Sequence, residues 1–168
     1  MGGFLGFVWC RSRKFIQTPS GRKRFNVLGA LNALTKEVIA VTNDTYIKSE
    51  SVCELLEKLK KQHPDKPITL FLDNAKYQQC NLVKELAQQL GIELVFLPPY
   101  SPNLNLIERL WKWLKKKCLY SKYYEKFEDF KTAIFTTLQR SHTDYKKELS
   151  SLLTFKFQII KKTQIWNL

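Results

Sequence analysis

Two of the 15 acidic residues in this 168-residue chain stand where they could do chemistry. Asp73 directly follows the apolar run Ile68-Thr-Leu-Phe-Leu72, so it lies at the carboxyl end of an expected strand. Open α/β sheets place their ligands at that edge. A carboxylate there is costly to desolvate unless a cation or hydrogen-bond donors meet it. The purely structural reading is an Asx turn leaving the strand through Asn74 and Ala75. Glu108 follows the stiff stretch Pro98-Pro-Tyr-Ser-Pro-Asn-Leu-Asn105 and begins a helix. It too has a structural reading, because Asn105 and Glu108 have the spacing of a capping box, and an acid in the first turn suits the helix dipole.

The surroundings of Glu108 favour chemistry. On a helix, Glu108, Trp111, Lys112 and Lys115 share one face, which sets an acid beside cations able to hold phosphates. Basic residues interleaved with aromatics have the composition of a nucleic-acid groove, although Trp111 and Trp113 could equally be core residues. Together Asp73 and Glu108 fit metal-assisted phosphoryl transfer. Mg2+ takes hard oxygen ligands, often one or two carboxylates plus substrate phosphates. Two such ions about 3.5–4 Å apart can activate an attacking oxygen and stabilise a leaving one. A two-metal site normally draws on three acids, and only two stand out here.

The elements that must position these acids alternate. Residues 24–34 and 37–42 read as two strands, and the short polar link at Thr35-Lys36 suggests a hairpin. Ser49 to Gln62 repeats its apolar residues at helical spacing, with Val52, Leu55, Leu56 and Leu59 on one face. Ile68–Leu72 and Ile92–Leu97 read as strands buried on both faces, the first of them central. Between them Asn81–Leu90 is a helix closed by Gly91. Further helices are expected from Leu106 to Tyr120 and from Phe127 to Arg140, and the stretch from Leu149 onward is unassigned. Strands alternating with helices after an opening hairpin indicate an α/β fold with a mixed, partly parallel sheet.

Composition narrows the partner. The chain has 28 Lys and Arg and a net charge of +13, with 44% hydrophobic and 13% aromatic residues. An adequate core beneath a basic surface points to a polyanion, with nucleic acid first. Seven of the cations fall in residues 1–36, which hold no acid, and six more lie between Arg109 and Lys122. No apolar run approaches the roughly 18 residues of a membrane span. Met1 to Cys10 lacks the basic start of a signal peptide. Cys10, Cys53, Cys80 and Cys118 are scattered and read as reduced thiols of a cytosolic chain, and with only His63 and His142 besides they offer little to a zinc ion.

The segments Leu72-Asp-Asn-Ala75 and Gly91-Ile-Glu-Leu-Val-Phe-Leu-Pro-Pro-Tyr-Ser-Pro-Asn-Leu-Asn-Leu-Ile-Glu-Arg-Leu-Trp111, with the lysines that follow, resemble bacterial insertion-sequence transposases of the mariner superfamily. The likeness runs from about Arg22 to Ala133. It implies an RNase H-like mixed sheet flanked by helices, an Asp-Asp-Glu triad, and Mg2+ or Mn2+ as cofactor. Thirty-four residues lie between Asp73 and Glu108, the family spacing between second and third acids, so the resemblance gives both residues catalytic and metal-binding roles. Leu106 replaces a proline common in the family. No acid precedes the hairpin where the first triad Asp belongs, and Asp44 comes too late in the chain to replace it. The resemblance therefore implies one partial catalytic domain over residues 1–168 that lacks its first strand. Residues 1–21 would be a lead-in and 149–168 a tail, with the helix-turn-helix portion absent.

By the same resemblance the partners are DNA, as transposon ends and target, an upstream-encoded or full-length transposase, and a second copy in a homodimer. Its place is the bacterial cytoplasm, at the nucleoid when bound to DNA. The cations expected to meet DNA are Arg22, Lys23, Arg24, Lys76, Arg109, Lys112, Lys115, Lys116 and Lys117. Three readings stand side by side: a strand-cleaving and strand-transferring domain inactive without its first Asp, a non-catalytic DNA- or transposase-binding fragment, and the product of a decayed gene.

Overall fold

The computed structural model describes residues 11–12, 23–98 and 105–156. Arg22 and residues 99–104 lie outside the described residues, as do Met1 to Cys10, residues 13–21 and residues 157–168.

The chain folds first into the expected hairpin. Strands β1 (Asn26–Leu31) and β2 (Val38–Asn43) pair antiparallel, with Leu28 opposite Val41 and Leu31 opposite Val38. The two asparagines that weaken the strand pattern have structural roles. Asn26 donates from its amide to the Asn43 side chain at 3.0 Å. Asn32 turns the chain: its side-chain oxygen accepts the amides of Leu34 and Thr35 at 2.9 and 3.0 Å. Lys36 takes the left-handed conformation, φ 66°, that the turn requires. Its buried ammonium donates to the carbonyls of Ala33 and Leu153, and the Ser141 hydroxyl donates to the Lys36 carbonyl at 3.0 Å.

Each face of the hairpin carries a different layer, as the two-residue period of a strand dictates. Leu28, Ala30, Ile39 and Val41 pack on Leu55 and Leu59 of α1 (Ser49–Gln62). Val27, Leu31, Val38 and Ala40 point the other way. They pack against a core formed by α3 (Leu106–Cys118), α4 (Phe127–Gln139) and α5 (Lys146–Leu152). Leu149 and Leu153, in the stretch left unassigned from sequence, are fully buried there. Gly29 shares that face because Trp111 lies against it: a Cβ at this position would meet the indole at 2.8 Å.

Strands β3 (Ile68–Leu72) and β4 (Ile92–Phe96) pair in parallel, Ile68 with Ile92 and Leu72 with Phe96, with α2 (Asn81–Gln89) as the crossover. Gly91, at φ 65°, ends α2 and starts β4. Here one expectation fails. β3 is not covered on both faces, for its exposure alternates and Phe71 is 59% exposed. Only Ile68 and Leu70 reach the α1 and α2 core. Nor is β3 central, since among the described residues the strands form two separate pairs, β1–β2 and β3–β4. The edges of β1 and β3 instead flank a common cleft of about 870 Å3. The Glu37 carboxylate lies 3.9 Å from His63 and accepts from Gln62. This brings the hairpin turn beside the start of β3, so β1 and β3 run in opposite directions along the cleft.

α3 ends at Cys118, before the expected Tyr120, as the Leu119 and Tyr120 amides both close on the Lys115 carbonyl and Ser121 turns left-handed at φ 59°. A polar clasp joins α3 to α5. Glu148 accepts from the Trp113 indole and from Lys117, both at 2.9 Å. The Lys117 ammonium first, and the indole N–H second, hold the Glu148 carboxyl below its ordinary pKa.

Two stability measurements follow from this packing. Gly29→Ala forces the Trp111 ring from its seat and should cost about 1–3 kcal/mol in urea unfolding; an unchanged midpoint would mean that the indole moves aside freely. Glu148→Gln should cost about 0.5 kcal/mol at neutral pH, a small value because the pair is half exposed. A lowered carboxyl pKa adds stability that is complete above the ordinary glutamate value and is lost as pH falls through the lowered one. The Gln variant should therefore lose less stability than the parent in mild acid, and equal acid sensitivity would count against the clasp.

Candidate active site

Asp73 leaves the end of β3 in the Asx turn that its sequence allows, its carboxylate accepting the Ala75 amide at 3.3 Å. The turn is braced from the neighbouring strand. The Leu97 amide donates to the Leu72 carbonyl at 2.8 Å, and the Asn74 side chain donates to the Leu97 carbonyl. Gln79 donates to Asn74 at 2.6 Å. A 3-10 turn over Lys76–Gln78 then sets Tyr77 near Asp73, and burial, with the Asp73 charge as the lesser cause, pushes the Tyr77 phenol up. The sequence reading named Asn74 only as part of the turn and passed over Tyr77 and Gln79. The only signal available was the polar cluster directly after a strand.

Glu108 sits in the first turn of α3. The helix is capped, but not by the reciprocal box. The Asn105 side chain accepts the Ile107 amide at 3.3 Å, and no bond returns from the Asn105 amide to Glu108. The carboxylate is exposed, and among the described residues no hydrogen bond or ion pair holds it. The helix that carries it is fixed from three sides: by Trp111 on Gly29, by the Trp113–Glu148 bond, and by Arg109, which donates to the carbonyls of Thr154 and Lys156 at 3.0 and 3.3 Å.

Asp73 and Glu108, far apart in sequence, line the same end-to-end cleft between β1 and β3, together with Asn105 and Trp111. Both are exposed, and among the described residues neither joins an ion pair. In a chain of net charge +13, two cleft-lining carboxylates that join no ion pair among the described residues leave negative potential unused. Among the described residues no three of His, Cys, Asp and Glu gather closely enough to enclose an ion. The donor set nevertheless suits a hard divalent cation, which needs only one or two carboxylates when substrate phosphates complete its shell. Asp44 lies elsewhere, beside Lys131 of α4, and does not line the cleft.

The cations expected to meet DNA divide into two groups. Lys112, Lys115 and Lys116 are exposed on α3, and Lys76 is exposed three residues beyond Asp73. Lys23 and Arg24 lie just before β1, and both are exposed. Arg24 lies 4.1 Å over the Tyr46 ring and Lys23 5.4 Å over Phe127. Arg109 and Lys117, by contrast, are tied to the carboxyl-terminal segment and to Glu148. Trp113 is buried and Trp111 lies half-buried on β1, so packing accounts for both indoles.

Four similarities bear on this arrangement. The family of DDE superfamily endonucleases matches residues 11–131. An insertion element IS630 protein of 39 kDa from Shigella sonnei is 30% identical over 105 residues, which are 61% of this chain and 30% of that protein. The Mos1 transposase, in a paired-end complex with the left transposon end, superposes with a TM-score of 0.63 at 13% identity, over 91% of this chain and 50% of that one. The catalytic core domain of BIV integrase superposes at 0.51 and 17% identity, over 78% of this chain and 96% of that domain. This chain therefore spans about a third to a half of the length of the IS630 protein and the Mos1 transposase. The fold shared with the Mos1 and integrase domains is RNase H-like. With a family match over residues 11–131, most of its length, the chain belongs to the DDE superfamily of endonucleases.

Proposed function

We propose that this chain is the catalytic domain, in part, of a bacterial insertion-sequence transposase, and that its substrate is DNA at transposon ends and target. The observation that carries the reading is the convergence of Asp73 and Glu108, unpaired, on one cleft flanked by exposed lysines. DDE membership implies a divalent metal ion, and Mg2+ or Mn2+ would be held by the Asp73 and Glu108 carboxylates. When bound, such an ion activates the attacking oxygen and stabilises the leaving one in phosphodiester cleavage and transfer. The chain's own contributions are positional. The Asn74 and Gln79 brace aims Asp73, the packing of Trp111 and Trp113 aims Glu108, and Lys112, Lys115 and Lys116 hold phosphates along the same helix. The reaction belongs in the bacterial cytoplasm, at the nucleoid, and a homodimer would bring two DNA ends together.

Two acids hold a metal ion more loosely than three, so the isolated chain should not turn over. Supercoiled plasmid incubated with purified protein and Mg2+ or Mn2+ should remain intact. Nicking that disappears in Asp73→Asn or Glu108→Gln would show that two acids suffice. DNA binding should survive those substitutions and fall steeply with salt, because phosphate contacts release counterions. Replacing Lys112, Lys115 and Lys116 together by Ala should reduce the slope of log K against log salt by about 2–3. An unchanged slope would mean that this face of α3 points away from DNA.

A further inference from the structure

We propose that Tyr46 is a stacking platform for one unpaired DNA base at the rim of the cleft, backed by Arg24. Tyr46 lies in the link between β2 and α1 and is 64% exposed, the most exposed aromatic side chain among the described residues. Two sets of contacts hold it nonetheless. The Arg24 guanidinium lies 4.1 Å from the ring centroid and donates to the Thr45 carbonyl at 3.4 Å, so one face of the ring is covered. The backbone under the ring is fixed by two asparagines. Asn43 donates from its side chain to the Tyr46 carbonyl at 3.1 Å and to the Ser51 hydroxyl of α1 at 3.4 Å. Its side-chain oxygen accepts the Thr45 amide at 3.3 Å. Asn26 donates to that same oxygen at 3.0 Å and to the Thr45 carbonyl at 2.8 Å. This network ties the loop to both β1 and α1, yet the ring it presents adds little to any core. Cation–π pairs at exposed sites stabilise only weakly, so fold stability accounts poorly for the arrangement. A fixed aromatic face with a cation behind it is what a nucleic-acid base stacks on.

The position of the loop selects the ligand. It follows β2 at the open end of the hairpin, away from the turn that stands beside His63. Ile47, the next residue, lines the cleft that also holds Asp73 and Glu108. Val52, in the first turn of α1, packs in one cluster with Tyr77, which follows Asp73 in the same bend of the chain. Tyr46 therefore stands at the mouth of the cleft and not on a remote face. Lys48 in the loop is exposed, as are Lys23 and Arg24 just before β1. The acids nearest in sequence are engaged elsewhere: Asp44 lies beside Lys131 of α4, and Glu50 accepts the Ser49 hydroxyl at 3.2 Å. The surrounding charge thus favours phosphates while the open face of the ring takes a base. A closed duplex keeps its bases stacked inside, so the ligand is a single strand, or a strand opened near the phosphodiester to be cut. The choice of DNA rests on the proposed function; the platform rests on the geometry of the loop.

The test uses the whole chain and three fluorescein-labelled probes of equal length, followed by anisotropy: oligothymidylate, the same sugar–phosphate strand without bases, and a duplex. Tyr46→Ala should weaken binding of oligothymidylate by about tenfold and leave the abasic strand and the duplex within about twofold. Tyr46→Phe should bind as the parent does, since stacking needs the ring and not the hydroxyl. Because the ring is so exposed, the urea midpoint of Tyr46→Ala should match the parent. A strand carrying a fluorescent adenine analogue, whose emission is quenched by stacking, should dim on the parent and stay bright on Tyr46→Ala. Emission that is unchanged on the parent overturns the platform whatever the variants do. So do equal losses on oligothymidylate and the abasic strand, or an unchanged affinity of Tyr46→Ala for oligothymidylate. In each of these cases salt-sensitive binding of the duplex leaves the DNA reading of the chain standing. A parent that binds none of the three probes overturns both.

Discussion

The β1–β2 hairpin is packed on both faces, and most of the molecule takes its position from that double burial. One face sits on α1 and the other on the α3–α5 core, so neither layer can shift without opening apolar contacts. The closest approach is at Gly29, where the absence of a side chain lets the Trp111 indole reach the backbone. Trp111 is one turn from Glu108 on α3, so this contact also determines where the carboxylate stands. The hairpin turn is held to the far end of the chain by the buried Lys36 ammonium, which meets the Leu153 carbonyl at 3.2 Å. Burial lowers the pKa of that ammonium, a cost offset by its carbonyl partners.

The two sheets meet the α1 layer through one shared set of side chains, with Ile68 and Leu70 joining Leu28 and Ala30 around it. Side-chain packing therefore holds the halves at a set separation although no backbone ladder links them. That separation opens the cleft and brings the end of β3 to the start of α3. Asp73 owes its aim to polar bonds between β3 and β4, whereas Glu108 owes its aim to apolar packing two layers away. The site thus depends on two independent sets of interactions.

The positive charge is likewise divided by function. Arg109 clamps the carboxyl-terminal segment to α3 and Lys117 clasps α5 through Glu148, so these two cations serve the fold. Lys112, Lys115 and Lys116 lie on exposed positions of the same helix and remain open to a polyanion. A helix with one apolar face and cations on the other can do both without conflict.

Much of this was legible from residue order. The bounds of α1 and β3 match their sequence patterns, because an i, i+3, i+4 repeat and a short bounded apolar run are local signals. The motif around Asp73 and the run into Glu108 likewise identify the family before any coordinates. The same local reasoning misjudged β3 as central and covered on both sides, since an apolar run does not record how many neighbours pair with it. It offered a capping box as the structural alternative for Asn105 and Glu108, of which only the Asn105 cap formed. It also could not separate the cations that clamp the fold from those left exposed, because their partners lie 31 to 47 residues away. Sequence by itself determined the elements, the charge and the two acids, all of which depend on neighbours along the chain. The tertiary structure alone decided that the two acids share a cleft and that two backbone edges face each other across it, because both are set by packing between segments remote in sequence.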